Sequence, residues 1–212
     1  MIRPSTKAFT MLPAGSGIIF SWPTRRRDIF SNLSDYIART RANPLYGKPG
    51  WTRECGQRFH RGCDIAPIAV TPTGQTCTVM FTNCDTGSEY PSEEPVVLPD
   101  DDVFVVYQGK VAGINKDIEE SEFGIHVIIE HVWPDSGHVF YSLYAHLDNC
   151  EVEFNEHITS GVRIGRMGQT SNSVMGRQFL SIAPHLHIEF WNHAGQSFDP
   201  LEMLMRYLPK TG

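Results

Sequence analysis

The sequence predicts a mainly β protein: a single domain of antiparallel β-sheets with a short N-terminal helix and loop insertions. Three observations carry this prediction. Residues 103–114, 126–132, 139–147 and 185–191 read as strands, rich in Val, Ile, Phe and Tyr. The second and third are joined by WPDSGH, a turn-forming hexapeptide, so together they read as a β-hairpin. No long helical pattern alternates with the strands, which argues against a parallel βαβ sheet.

Taken in chain order, residues 1–16 form an N-terminal extension and 17–208 the domain itself, with insertions at about 26–43 and 85–102. The opening residues lack a positive stretch followed by a long apolar one, so they do not read as a signal peptide. The basic run Arg25-Arg26-Arg27 reads as a solvated face. Behind a plausible Asp28 N-cap, Ile29, Leu33 and Ile37 recur every four residues, which predicts a packing helix over 28–41. A Gly/Pro-rich connector, NPLYGKPGW, follows, and strand patterns begin near residue 58. The acidic, proline-rich segment 85–102 reads as an exposed, solvated loop between strands. Glycines in ITSGVRIGRMGQT, residues 158–170, suit short, sharply turning β segments.

At 212 residues the chain suits one domain with insertions better than two full domains. A formal charge of −6 argues against nucleic acid as a partner, since phosphate backbones select basic surfaces. No apolar run reaches the length of a transmembrane helix. The five cysteines include no C-x-x-C pair, and an odd number leaves at least one without an intrachain partner. Cys77 and Cys84 are spaced to close a small loop, and the redox compartment stays open. Cys55 and Cys63 bracket His60 at a spacing that matches no common zinc knuckle.

Chemistry concentrates in three stretches. In APHLHIEF, residues 183–190, strand period two places His185 and His187 on one face, about 6.6–6.8 Å apart. Such a pair shares a metal, divides between metal and chemistry, or is simply two satisfied surface histidines. In FHRGCDIAP, residues 59–67, His60 and Asp64 would lie about 13 Å apart on a straight strand. Zinc bonds are only about 2.0–2.2 Å long, so a shared ion requires a bend, and Gly62 supplies a permissive backbone for it. His60, Asp64 and one of the two later histidines would then make a two-imidazole, one-carboxylate set, which suits catalytic zinc with a position left for water. The helical H-E-x-x-H of many zinc peptidases is absent. In YSLYAHL, residues 141–147, His146 offers a group that titrates near neutral pH. Period two puts it on one face with Tyr144 and Ser142, opposite Leu143, Ala145 and Leu147.

The order H-x-x-x-D, then Y-A-H-L, then P-H-L-H-I-E-F resembles the lysostaphin-like zinc metalloendopeptidases, the LytM-type enzymes that cut peptide cross-links in bacterial cell walls. The resemblance covers most of the chain after residue 17. FSWP, FHRGCDIAP, GKVAGI, GIHVIIEH, YSLYAHL, SGVRIGRMGQT, APHLHIEF and DPLEML follow in family order. It implies that His60, Asp64 and His187 hold one zinc ion per chain. His146 and His185 are then the unligated catalytic histidines, polarising water and steadying the tetrahedral intermediate.

The implied partner is a peptidoglycan peptide, and the implied location is the cell envelope or the exterior. The absence of a recognisable leader keeps a cytoplasmic or phage-lysin route open. Two rival readings are a catalytically silent wall scaffold or hydrolase activator, and a zinc peptidase acting on a non-wall peptide. All five positions are filled, which argues against a metal-free relative. The chain departs from the family in its insertions, including NSVMGRQFLSIA before APHLHIEF, which read as loops near the substrate groove. His126, His131, His138, His157 and His193 read as structural or exposed.

Overall fold

The computed structural model describes residues 7–13, 17–25, 47–53, 56–66, 72–77, 80–82, 89–91, 96–99, 101–118, 120–171 and 184–209. Its first strands are β1 (Gly50–Arg53), β2 (Arg58–His60), β3 (Cys63–Ile65), β4 (Pro72–Cys77) and β5 (Met80–Thr82). Next come β6 (Glu89–Pro91), β7 (Val96–Pro99), β8 (Asp102–Phe104), β9 (Gly109–Asn115) and β10 (Ile125–Val132). The chain ends with β11 (Val139–Cys150), β12 (His157–Ile158), β13 (Arg163–Met167), β14 (Leu186–Asn192), β15 (Ser197–Phe198) and helix α1 (Pro200–Tyr207). The described fold is mainly β, and every ladder between its named strands is antiparallel.

β11 is the spine. The predicted hairpin forms: β10 runs along one edge of β11, with Val132 opposite Val139 and Ile128 opposite Leu143. The other edge is shared, by β14 along residues 140–145 and by β13 along 147–150. β14 in turn pairs with β3, and this is how residues distant in sequence reach one sheet. Both faces of β11 are buried because its side chains alternate between two apolar clusters. Phe140 and Tyr144 join Val127, Ile129, Leu186, Ile188 and Phe190 in the larger cluster, whereas Tyr141, Leu143 and Ala145 join Phe123, Ile128 and Trp191 in the smaller.

The large core is closed by α1. Asp199 caps it by accepting from the Leu201 and Glu202 amides at 2.9 and 3.1 Å, and Pro200 occupies the first turn. Met203, Leu204 and Tyr207 then face inward. The sequence reading placed no helix here. The helix predicted over 28–41 and the extra residues 172–183 lie outside the described residues, as do residues 55 and 84.

Two expectations are corrected. The run 103–114 is two strands, not one. β8 pairs with β13, while β9 pairs with β10 and β12, so the chain changes partners between Phe104 and Gly109. The segment 85–102 is not a plain solvated loop either. It contributes β6, paired with β5, and β7, paired with β4. Its last two acids are buried: Asp102 takes Arg25 Nε at 2.6 Å and Arg163 Nε at 2.7 Å, and Asp101 accepts the Arg25 amide at 3.3 Å. A carboxylate is buried cheaply only beside opposite charge, and Arg25, exposed as its sequence suggests, supplies part of it from the surface.

Candidate active site

Three strands bring the predicted residues together. His60 ends β2, Asp64 is the middle of β3, and His187 lies directly opposite Asp64 in the β3–β14 ladder. The bend predicted between His60 and Asp64 is present as the break between β2 and β3. Gly62 in that break is required by space: a Cβ there would lie 2.1 Å from His187 Cε1. The imidazole of His187 therefore rests on the Gly62 backbone.

The polar atoms converge. His187 Nδ1 lies 2.9 Å from Asp64 Oδ1 and 3.2 Å from His60 Nε2, and His60 Nε2 lies 3.2 Å from Asp64 Oδ1. All three residues are buried. Each ligand-competent nitrogen is aimed by a bond to the opposite ring nitrogen. His60 Nδ1 donates to the Lys48 carbonyl at 2.9 Å, and His187 Nε2 donates to Glu189 Oε1 at 3.0 Å. Arg53, from β1, pairs with Asp64 Oδ2 and also reaches His60 Nε2 at 3.0 Å, leaving Oδ1 as the oxygen turned to both imidazoles.

His185 and His146 complete the group. His185 Nε2 is 3.6 Å from Asp64 Oδ1, so the two histidines of APHLHIEF do face one space, although His185 precedes β14 by one residue. The His146 ring lies 4.8 Å from that of His185 and 5.6 Å from that of His187. Its Nδ1 donates to the Thr170 carbonyl at 2.8 Å, leaving Nε2 for chemistry.

The route by which His146 arrives corrects the period-two reading. Tyr144 faces the large core, and a strictly alternating His146 would follow it. Instead His146 has φ +61°, and the β10–β11 register slips between Ile125–Leu147 and Val127–Tyr144. This bulge turns His146 onto the face of Ala145, which is the residue opposite His187. Leu147 accordingly returns to the large core, whereas Leu143 and Ala145 belong to the small one.

Electrostatics follow from burial and these contacts. Burial lowers His60, only partly offset by Asp64. Burial, then the neighbouring His185 and His187, hold His146 well below its ordinary value, so it is neutral. For Asp64, burial acts upward, but Arg53, His185, His60 and the bond from His187 outweigh it and keep the carboxyl ionised. Burial would lower His187 too. Its bonds to Asp64 and Glu189 win, raising it to about 9 in the metal-free protein.

Sequence reasoning missed Arg53, Gly62 as a steric necessity, and Glu189. Glu189 alone had a signal, since it stands two residues beyond His187 and so on the same strand face. Of the five other histidines, His126 and His131 are buried and His138, His157 and His193 exposed, as the sequence suggested.

Comparison with known proteins gives the following. The catalytic domain of the antimicrobial peptidase lysostaphin from Staphylococcus simulans is 17% identical over 82% of this chain and 97% of that one, with a TM-score of 0.46. Helicobacter pylori Csd3 is 16% identical over 92% of this chain but 34% of its own length, with a TM-score of 0.47. A zinc containing peptidase from Vibrio cholerae is 22% identical over 64% of this chain and 37% of that one, with a TM-score of 0.39. No curated protein matches. The sequence model of Peptidase family M23 matches residues 96–200, a span that takes in His146, His185 and His187 and follows His60 and Asp64. Over residues 96–200 the chain resembles Peptidase family M23.

Proposed function

We propose that this peptidase is a zinc-dependent endopeptidase that hydrolyses peptide bonds in peptidoglycan cross-links. The observation that carries the metal is the triangle of His60 Nε2, Asp64 Oδ1 and His187 Nδ1, with edges of 3.2, 2.9 and 3.2 Å. Ligands about 2.0–2.1 Å from a tetrahedral zinc stand about 3.3 Å apart, so the donor set fits one ion and leaves a fourth position. Bound there, zinc would acidify a water and polarise the scissile carbonyl.

The chain's own groups supply the rest. His146, neutral and aimed by Thr170, stands beside the ligand triangle with its ring 4.8 Å from that of His185. Together they take the proton of the attacking water and hydrogen-bond the oxyanion that develops on the amide. Proton delivery to the leaving amine then returns them to their starting state. The intact ligand set and both unligated histidines favour an enzyme over a silent scaffold. The wall peptide as substrate rests on the family resemblance, and with it goes a location at the cell envelope or outside the cell.

The test pairs two variants with one substrate. His187→Ala is expected to lose zinc and activity, whereas His146→Ala keeps zinc and loses activity by at least about 100-fold, the scale of general acid–base assistance. Purified peptidoglycan is digested and its new termini identified by mass spectrometry. A fully active His146→Ala overturns the mechanism. Zinc-dependent cleavage of unrelated peptides with no new termini in peptidoglycan overturns the substrate.

A further inference from the structure

We propose that Glu189 is a positioning residue, the group that presents His187 to the metal through Nδ1; this rests on the zinc reading above. Glu189 is 5% exposed, on a strand face otherwise lined by Leu143, Ala145 and Trp191. A carboxylate in that company is costly unless it is bonded to something. Its Oε1 accepts from His187 Nε2 at 3.0 Å, while Oε2 lies 3.6 Å from Arg61 Nε, whose charge offsets the burial.

The consequence for His187 is geometric. An imidazole that gives one nitrogen's lone pair to a metal must carry its proton on the other. Nδ1 is the nitrogen turned to Asp64 Oδ1 and His60 Nε2, so the proton belongs on Nε2, where Glu189 receives it. Gly62 restricts the ring from one side, since even a Cβ there would overlap three of its atoms. Glu189 fixes it from the other. A ring held at both ends cannot flip to offer Nε2 to the triangle.

Three variants separate this role from simple core filling. Glu189→Ala removes acceptor and volume, Glu189→Met restores volume without an acceptor, and Glu189→Gln restores an acceptor without charge. Zinc affinity is measured by chelator competition, and the His187 Nε2–H resonance is followed by ¹⁵N NMR in the metal-free protein. Wild type is expected to show a protected Nε2–H. Ala and Met are expected to lose that signal and to bind zinc about 10–100-fold more weakly, the usual effect of removing such a partner. Gln should retain the signal and lose less. If Met binds zinc as wild type does, or if Ala lies within threefold of wild type, the proposal is overturned while the metal reading stands. If wild type itself binds no zinc, both fall. If wild type binds zinc and the variants behave as expected but peptidoglycan is not cut, only the substrate assignment fails.

Discussion

At Gly62 the site depends on what is missing. His187 packs where a side chain would be, with Cε1, Nε2 and Nδ1 lying 2.1, 2.5 and 2.7 Å from an added Cβ. The opposing atoms belong to a buried ring held between Asp64 and Glu189, so the ring has nowhere to retreat without breaking one of those bonds. Gly62→Ala is therefore expected to weaken zinc binding by at least about 10-fold, in the range seen when a metal ligand's support is disturbed. A chelator competition experiment checks this. Thermal unfolding of the metal-free protein should also come at lower temperature, because the overlap with the buried ring is present without the metal, although an alanine there adds no left-handed strain. Equal zinc affinity in the two proteins would contradict the close contact.

At the level of elements, the bulge at His146 is the feature that assembles the site. A β-branched residue at φ +61° is strained by roughly 1–2 kcal/mol, whereas Asn tolerates that conformation. His146→Val should thus lower stability in urea by about 1–2 kcal/mol relative to His146→Asn, although neither variant retains the imidazole. Equal stability would mean the bulge relaxes when the ring is gone. The same element shows where the sequence was legible and where it was not. Period two found β10, β11 and β14, and with them the shared space of His185 and His187, because those strands alternate cleanly between two apolar clusters. It failed at His146, since one residue in the left-handed region reverses the face of everything after it and leaves no trace in composition. The identities of His60, Asp64 and His187 were readable from motif order. Arg53 was not, because its place depends on pairing β1 with β2 in register Gly50–His60, which no local pattern announces. For α1 the signal was present and unused: Asp199-Pro200 is an N-cap followed by proline at the first turn. Asp199→Ala should cost about 1 kcal/mol, read by the same urea titration.

The molecule as a whole carries an acid sensitivity that has a source outside the cluster of His60, Asp64 and His187. His131 on β10 is fully buried, stacked on Phe140 with ring centres 4.6 Å apart. Its Nδ1 donates to the Gln108 carbonyl at 2.9 Å, and its Nε2 accepts from the Ser142 hydroxyl at 2.7 Å, so both nitrogens of the neutral ring are satisfied. Burial depresses it from 6.5 to about 4, overcoming the bonds to Gln108 and Tyr107 that act the other way. In the unfolded chain the same ring titrates near 6.5. Between those two values the unfolded state binds the extra proton, so stability rises with pH across that window and falls as pH drops through it. The contribution is complete above about 6.5 and is lost on descending to about 4. It amounts to about 3 kcal/mol at about 1.4 kcal/mol per unit. Metal-free protein, denatured with urea at a series of pH values, should show this slope. His131→Asn, which keeps a donor for the Gln108 carbonyl but cannot take up the proton, should flatten it by close to one proton between pH 6.5 and 4, whatever its baseline stability. An unchanged slope in the variant would show that the acid sensitivity comes from other groups, with His60 and His146 the first to examine, because burial lowers both of them as well.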